Sequence, residues 1–357
     1  MERQAKDVTV IRHPLVTDQP GPHKLQVFNA SGLAHESVTP MPFVPPFTYV
    51  FDLAVPKLAG NDYDLWIGFN NLNTLRGLQE KKNGRVKKVV YLAIDYTNDR
   101  FGRRSPLTWV YNTVDKKCCE QADELWALTK ESHEARLKSL KLEELKKPFL
   151  EVPMGANMLA APKVGRNAFA SKQIVFLGHI IEKQGVQLVL RALKRIRVSL
   201  PSVHFMVMGT GPYLDTVKAL AQELGVSDAV TFRGFVESDD EIETVLAQSA
   251  VAVAPYNPEK ASFTRYADAG KLKMYLGAGL PIVMTDVTIN AKQLEQEAGA
   301  SLINYDEEEL NRALVEILNN EALWQQKSDA AKAFGLRYDW NSIFDRAFES
   351  STVFQSR

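Results

Sequence analysis

The amino-acid sequence predicts an α/β protein built from two doubly wound units. Short runs rich in β-branched residues, such as KVVYLAI at 88–94 and IVFLG at 174–178, alternate with amphipathic helical patterns. Between Val186 and Ile196, apolar residues recur at the spacing of a helix that buries one face. Strands that alternate with such helices are typical of parallel sheets covered by helices on both faces. Because 357 residues exceed one ordinary compact domain, we expect two.

The composition excludes some functional classes and favours a reducing compartment. Lys plus Arg and Asp plus Glu both number 43, so the chain lacks the basic excess of a nucleic-acid-binding protein. Its two cysteines, Cys118 and Cys119, are adjacent, which suits neither a structural disulfide nor separated metal ligands. No apolar run approaches the ~20 residues that span a bilayer. We therefore expect a cytoplasmic protein, with peripheral contact at the inner face of the membrane as the alternative.

The junction between the two domains is predicted at the motif VPMGAN, residues 152–157, where Pro and Gly interrupt the periodicity. The N-terminal domain then covers 1–153 and the C-terminal domain covers 154–338. The last segment, 339–357, begins with a helical pattern whose apolar side includes Trp340. This apolar side predicts that the last helix packs back on the N-terminal domain.

Several strands of the C-terminal half run directly into glycine. Gly178 follows IVFL, Gly209 and Gly211 follow HFMVM, and Gly234 lies within VTFRGF. The carboxyl ends of parallel strands meet at one edge of a sheet, which is where open α/β sheets bind ligands. The glycines therefore predict a nucleotide site at this edge. The turn after Gly178, with Lys183, would present N–H groups and a cation to phosphate, although such a turn is common in α/β proteins.

The most informative segment is ADAGKLKMYLGAGLP at 267–281, which predicts a helix that opens near Gly270. The N-terminus of a helix offers free N–H groups and a positive dipole end, and a glycine there lets a diphosphate approach the backbone. Lys271 adds a positive charge. The alternative is a plain helix with a solvated basic face, which would be the better interpretation without the neighbouring glycine-ended strands.

Five weak motifs, found in a fixed order, resemble those of one enzyme family. FLGHIIEKQG, VMGTGP, VTFRGFV, the long loop before Lys271 and KLKMYLGAGLPIV are similar to the C-terminal domain of family 4 retaining glycosyltransferases, the glycosyl transferases group 1. VPMGAN resembles their interdomain linker, and ADELWALT resembles one of their strands. The resemblance implies a GT-B fold, in which two Rossmann-like domains face a cleft.

The same resemblance implies an activity. The expected reaction is transfer of a sugar from a nucleoside diphosphate sugar to a hydroxyl acceptor, with retention of configuration. The expected pathway is the synthesis of cell-surface polysaccharide or glycolipid, which makes the acceptor a saccharide or a lipid-linked molecule. No metal and no cofactor besides the donor substrate is implied.

Only some of the residues with which the family binds its donor have counterparts in this sequence. His179 and Gln184 stand where the family has an Arg and a Lys on the donor phosphates, and Tyr266 and Met274 stand where it has two glutamates. Two hypotheses therefore stay open: a transferase with a variant donor site, or a non-catalytic GT-B-like protein that binds a nucleotide or a partner. The block YADAGKLK, which is similar to YADPGKLK in one glycosyltransferase subgroup, favours the variant enzyme.

Nearby side chains replace the missing donor contacts in this interpretation. Lysines supply cations, and Asp268 accepts hydrogen bonds from sugar or ribose hydroxyls. We expect the glycines, Asp268 and Lys271 to line one pocket that faces the interdomain cleft. The complete set of residues predicted to bind the donor is Gly178, His179, Lys183, Gly209, Gly211, Phe235, Tyr266, Asp268, Gly270, Lys271 and Lys273.

The N-terminal half contributes the predicted catalytic and acceptor residues. The strand KVVYLAI delivers Asp95 and Tyr96 to its carboxyl end. Asp95 would bind sugar hydroxyls or assist removal of a proton from the acceptor, and an N-cap or turn aspartate is the equally weighted alternative. Asn70 and Asn71, after LWIGF, would lie at the same edge, although asparagines in turns are usually just turn formers.

Other chemistries find little support in the sequence. There is no pair of carboxylates at glycosidase-like positions, no Ser/His/Asp order, and no His/Cys spacing typical of a metal site. The basic residues around Arg100, followed by Trp109, would suit contact with anionic lipid, but a basic run is usually only solvated.

The first strand of the N-terminal domain is predicted at VTVI, residues 8–11. In the family that the chain resembles, another strand and a Gly-rich acceptor loop come before a strand of this kind. Only about seven residues precede VTVI, too few for a βαβ crossover and a further strand. We therefore expect a parallel sheet that begins with VTVI and lacks its usual central strand.

Overall fold

The structure, a computed structural model, describes residues 5–14, 21–41, 48–54, 56–58, 60, 62–94, 100–102, 104–260 and 268–354. The chain divides into two compact units. The first unit comprises 1–152 together with 344–357, and the second comprises 153–343. The boundaries predicted from the sequence lie after residues 153 and 338, whereas the second structural boundary falls inside the last helix.

The first unit opens with a three-stranded antiparallel sheet of β1 (Val8–Arg12), β2 (His23–Asn29) and β3 (Gly32–Thr39). The expectation that VTVI begins the parallel sheet is therefore wrong. A tight hairpin joins β2 to β3, and Gly32 takes a φ of 103° there, which other residues rarely adopt. Strand β1 adds to the free edge of β2. Antiparallel pairing with a nearby strand needs only a short connection, so it costs less chain entropy than a crossover.

A four-stranded parallel sheet follows in the first unit. Its strands stand in chain order: β4 (Tyr63–Phe69), β5 (Val86–Ala93), β6 (Glu124–Ala127) and β7 (Phe149–Glu151). A 3-10 helix, Thr48–Leu53, precedes it, and the connecting helices are α1 (Asn70–Lys82), α2 (Pro106–Gln121) and α3 (Lys130–Ser139). Because crossovers between parallel strands are right-handed, this sequential order places all three helices on one face.

The second unit contains a six-stranded parallel sheet in the order β10-β9-β8-β11-β12-β13. Its strands are β8 (Gln173–Leu177), β9 (His204–Met208), β10 (Val230–Gly234), β11 (Val251–Ala254), β12 (Ile282–Thr285) and β13 (Ser301–Ile303). This is the doubly wound 3-2-1-4-5-6 order, which reverses between β8 and β11. Ligands of such sheets bind outside the carboxyl ends of the strands at this reversal.

Nine helices are described after β7. They are α4 (Arg166–Ser171), α5 (Val186–Ser199), α6 (Leu214–Glu223), α7 (Asp239–Ala247), α8 (Gly270–Ala278), α9 (Ala291–Ala298), α10 (Glu307–Asn319), α11 (Glu321–Gly335) and α12 (Trp340–Ser350). Side-chain caps fix several starts: Ser238 accepts from Glu241 N, and Asp306 from Glu308 N and Glu309 N. Within the described parts of the chain, no helix is both long and apolar enough to cross a bilayer.

The parallel sheet of the first unit is buried on both faces. Tyr91 of β5 packs with Cys118 and Cys119 of α2. Burial raises the pKa of both thiols, that of Cys119 to about 12, so both are protonated core residues. On β6, the Trp126 ring lies 6.0 Å from the ring of Phe348 in α12. The three connecting helices lie on one face of the sheet, so this contact places α12 on the opposite face. Helices therefore cover both faces of the sheet, as expected.

Candidate functional site

Glycines line the carboxyl edge of the sheet in the second unit, as expected from the sequence. Gly178, Gly209 and Gly234 follow or end strands β8, β9 and β10 with φ values of 138°, 133° and 79°, which favour glycine. Gly178 N donates to Met208 O at 2.9 Å, and Gly209 N donates to Gly234 O at 2.7 Å. A Cβ atom added to Gly209 would lie 1.9 Å from Gly178 O. The three strand ends therefore meet through backbone hydrogen bonds, and at Gly209 the approach is too close for any side chain.

The turn after Gly178 packs on the loop after β9. Ile180 N donates to Thr210 O at 2.8 Å. A Cβ atom on Gly211 would lie 2.3 Å from Ile180 O and 2.7 Å from His179 Cδ2. The His179 side chain is exposed at this edge. The structure thus brings together four of the predicted donor residues: Gly178, His179, Gly209 and Gly211.

Lys271 reaches the same edge from the first turn of α8. Its Nζ would lie 3.5 Å from a Cβ atom on Gly178, and it donates to Gln184 Oε1 at 2.5 Å. The ammonium group also lies over two aromatic rings, 4.3 Å from the Phe176 centroid and 4.7 Å from the Tyr256 centroid. Burial lowers the pKa of Lys271 to about 7, because the charged form has lost water. A bound anion would restore the charge.

Asp268 and Lys273 hold each other in the interior. Lys273 Nζ lies 3.1 Å from Asp268 Oδ1 and 3.3 Å from the centroid of the Tyr338 ring. The second carboxylate oxygen of Asp268 accepts from Met154 N at 2.7 Å, and Asn290 Nδ2 approaches the first at 3.4 Å. These contacts pin the start of α8 to residues 154 and 338. A role for Asp268 or Lys273 in holding the donor stays a prediction.

Three further predicted donor residues, Lys183, Phe235 and Gly270, lie near strand ends or helix starts. Gly270 is the first residue of α8, and the preceding Ala269 provides no side-chain cap hydrogen bond, which is the kind of helix start that suits an anion. The carbonyl of Lys183, in the 3-10 helix Glu182–Gln184, accepts from Asn257 N at 2.9 Å. Phe235, directly after β10, is 75% exposed. Asp95, Tyr96 and Tyr266 lie outside the described residues.

On the acceptor side, Asn70 and Asn71 have different surroundings. Asn71 is buried, and its Nδ2 donates to Tyr111 O at 3.3 Å, which makes it part of the packing between α1 and α2. Asn70 has a φ of 60°, and its Oδ1 accepts from Ile94 N at 3.1 Å. Asn70 therefore ties the end of β4 to the end of β5, directly before Asp95. Whether either side chain meets an acceptor stays a prediction.

The backbone of Asn70 leads to a testable difference between two substitutions. Asn70→Ala removes the hydrogen bond that Ile94 N donates to the Asn70 side chain. It also places alanine at a positive φ, a conformation that alanine adopts less readily than asparagine. We expect it to lower the free energy of unfolding by about 1–2 kcal/mol. Asn70→Gly removes the same hydrogen bond without the conformational strain and should cost about 1 kcal/mol less. Urea unfolding of both variants measures this difference, and equal losses would show that strain at this position is negligible.

A separate hollow of about 540 Å³ lies on the second unit. Its lining includes Lys163 and Arg166, and also Ser171 and Gln248, which come just before strands β8 and β11. It therefore lies at the amino ends of these strands, whereas doubly wound sheets bind ligands at the carboxyl ends. We do not assign it to the donor.

Sequence reasoning missed the neighbours of Lys271. In the sequence Gln184 is only a departure from the family pattern, whereas in the structure it is the hydrogen-bond partner of the lysine. A signal for the two rings existed in the sequence. Phe176 is near the end of the apolar run IVFL, and Tyr256 ends the run AVAVAPY. The two aromatic residues therefore lie near the carboxyl ends of β8 and β11, where the strand order reverses.

Comparison with known proteins shows what the sequence and the fold resemble. Residues 171–320, which include the strand ends and α8, match the family model described as glycosyl transferases group 1. Over 67 residues the chain is 36% identical to a GDP-mannose-dependent alpha-(1-6)-phosphatidylinositol monomannoside mannosyltransferase of Mycobacterium tuberculosis (strain CDC 1551 / Oshkosh). This match covers 19% of the chain and 17% of the relative, so the chain spans only a small part of that protein.

Solved structures share the fold over most of the chain. A sucrose-phosphate synthase from Thermosynechococcus elongatus has a TM-score of 0.62 and 17% identity, over 81% of this chain and 75% of that one. A variant of S. aureus TarM in complex with UDP has a TM-score of 0.62 and 12% identity, over 99% and 81% of the two chains. The protein therefore has the GT-B fold, and residues 171–320 of its second unit match the group 1 family model.

Proposed function

We propose that this protein transfers a sugar from a nucleoside diphosphate sugar to a hydroxyl acceptor. The observation that carries the proposal is Lys271, an ammonium group partly buried against Gly178 at the carboxyl edge of a doubly wound sheet. Bare glycine backbone and an uncapped helix start surround it, which is the arrangement that binds a diphosphate. The GDP-mannose dependence of the mannosyltransferase relative and the UDP bound to TarM support a nucleotide sugar as the donor.

The chemistry required of the chain is modest. The bond between the sugar and the diphosphate breaks, so negative charge grows on the departing phosphate. The first N–H groups of α8 and the Lys271 ammonium would stabilise this charge, and the exposed His179 lies at the same edge. In this proposal no metal is needed, and configuration is retained. Asp95 would then assist loss of the proton from the acceptor hydroxyl.

The described residues constrain the identity of the acceptor less than that of the donor. A saccharide or a lipid-linked acceptor fits the proposal, because the relative acts on a phosphatidylinositol monomannoside. The exposed Trp109, near Arg100 in the sequence, gives an apolar group that would suit peripheral contact with a membrane.

A second candidate function is binding without catalysis. One specific observation favours it: Gln184 already accepts the hydrogen bond of Lys271, so the lysine is partnered before any ligand arrives. A donor phosphate would have to compete with this amide oxygen or add to it. Binding of a nucleoside diphosphate without turnover of any nucleotide sugar would identify this second function.

The proposed transfer is tested by a panel of nucleotide sugars. At 100 times its dissociation constant, the correct donor should stabilise the protein by about 2.7 kcal/mol, which thermal unfolding detects. The donor that stabilises is then incubated alone and with candidate acceptors, and release of the nucleoside diphosphate is followed. Release that an acceptor accelerates supports transfer. Stabilisation without release in any mixture would instead support the binding protein, and stabilisation by no donor would contradict both.

A further inference from the structure

Two histidines and an aspartate converge in the first unit, among residues that the proposed sugar transfer does not use. His13 Nδ1 lies 3.0 Å from His23 Nδ1 and 3.2 Å from Asp52 Oδ1. His23 Nδ1 lies 3.8 Å from the same carboxylate oxygen. All three are of the types that ligate metal ions, although they are widely separated in the sequence.

The register of the antiparallel sheet fixes the histidine pair. Arg12 at the end of β1 pairs with Lys24 of β2, so the next step along the two strands sets His13 opposite His23. Residues opposite each other in antiparallel strands have Cβ atoms only ~5 Å apart. Asp52 comes from the 3-10 helix Thr48–Leu53. Three separate elements therefore each supply one ligand atom, and the sheet orients two of them.

The donors and acceptors of this cluster do not balance. The side chain of His23 is fully buried, so the groups that face it must be satisfied by the cluster itself. One proton between the rings would satisfy the two facing nitrogens. Asp52 Oδ1, which is buried, would still have no hydrogen bond from any described residue. A single cation would satisfy the oxygen and both nitrogens at once.

We propose that His13, His23 and Asp52 bind a divalent transition-metal ion of the zinc class. Bonds of about 2.0–2.1 Å in a tetrahedral site place ligand atoms ~3.3 Å apart, and the three observed separations lie around this value. Two imidazoles favour zinc over magnesium or calcium, which prefer oxygen ligands. Water would take the fourth position. The bound ion would fasten the 3-10 helix to the ends of β1 and β2.

The experiment uses the full chain without an affinity tag, stripped with a chelator and titrated with Zn²⁺ against a chromophoric competitor. We expect one equivalent of Zn²⁺ per chain. His13→Gln and Asp52→Asn should each weaken binding by more than about 100-fold, beyond what the loss of an outer-shell contact costs. His35→Gln is the matched control, because His35 is exposed on β3 of the same sheet. It should bind like the parent.

Two further measurements separate a true site from a folding defect. Far-UV circular dichroism without metal reports whether each variant folds, and Asp52→Asn keeps the side-chain shape if His13→Gln does not fold. Zn²⁺ should raise the urea midpoint of the parent and of His35→Gln, but not that of Asp52→Asn. A parent that binds no stoichiometric Zn²⁺, or a folded Asp52→Asn that binds it as tightly as the parent, would overturn the site.

Discussion

Gly185→Ala is expected to lower the free energy of unfolding by about 2–5 kcal/mol. Gly185 caps α5 with a φ of 77°, and an added Cβ atom would lie 1.7 Å from Pro255 O. The clash is with backbone at the end of β11, so neither side can move without shifting a strand or a helix. The substitution therefore combines the cost of positive φ with the cost of overpacking. Urea unfolding of the full chain measures the loss.

Gly225→Ala separates these two costs. Gly225 has a similar φ of 67°, but a Cβ atom there would meet nothing within 4 Å. We expect it to cost only the conformational part, about 1–2 kcal/mol. If Gly185→Ala is no more destabilising than this control, the close approach to Pro255 is not a constraint on the fold.

Replacing Lys271 by Met is expected to weaken binding of the nucleotide sugar by about 10- to 100-fold, or 1.4–2.8 kcal/mol. Met keeps most of the side-chain length between the Phe176 and Tyr256 rings but removes the charge and the hydrogen-bond donor. The effect is large because the lost contact is charge-assisted and partly buried. Isothermal titration with the donor found in the thermal screen gives the affinity of each variant.

The same lysine should make binding depend on pH. With a pKa of about 7 in the free protein, Lys271 is charged below pH 7 and mostly neutral above it. The diphosphate of a nucleotide sugar keeps its charge across this range and favours the charged lysine, so the pKa rises on binding. Above pH 7 binding must therefore take up a proton, and the affinity of the parent should fall from pH 7 to 9. The affinity of Lys271→Met should stay constant.

Lys194→Met is the control for both measurements. Lys194 is exposed in the second half of α5, which runs towards the amino ends of the strands and away from the glycine-lined edge. It should bind the donor like the parent and show the same fall in affinity with pH. A Lys271→Met variant that keeps the parental affinity, or a parent whose affinity does not change between pH 7 and 9, would remove Lys271 from the donor site.

Much of the second unit could be predicted from the sequence because its signals are local. Apolar spacing marks α5, a continuous apolar run marks β8, and glycine after a strand marks a backbone that turns where side chains do not fit. Gly270 at the start of α8 was found in the same way. Such signals depend on a few neighbouring residues, so one sequence is enough to recognise them. They located the edge of the sheet where a nucleotide would bind.

Other features were decided only by tertiary contacts. Lys271 meets Gln184, 87 residues earlier in the chain, and burial in the folded protein lowers the pKa of the lysine. Strand β1 pairs antiparallel with β2, although the residues of β1 do not themselves indicate this partner. The register of the pairing places His13 opposite His23. Periodicity indicates which face of a strand or helix is buried. It carries no information about which distant group completes a hydrogen bond or an ion pair, because this depends on the folded path of the chain.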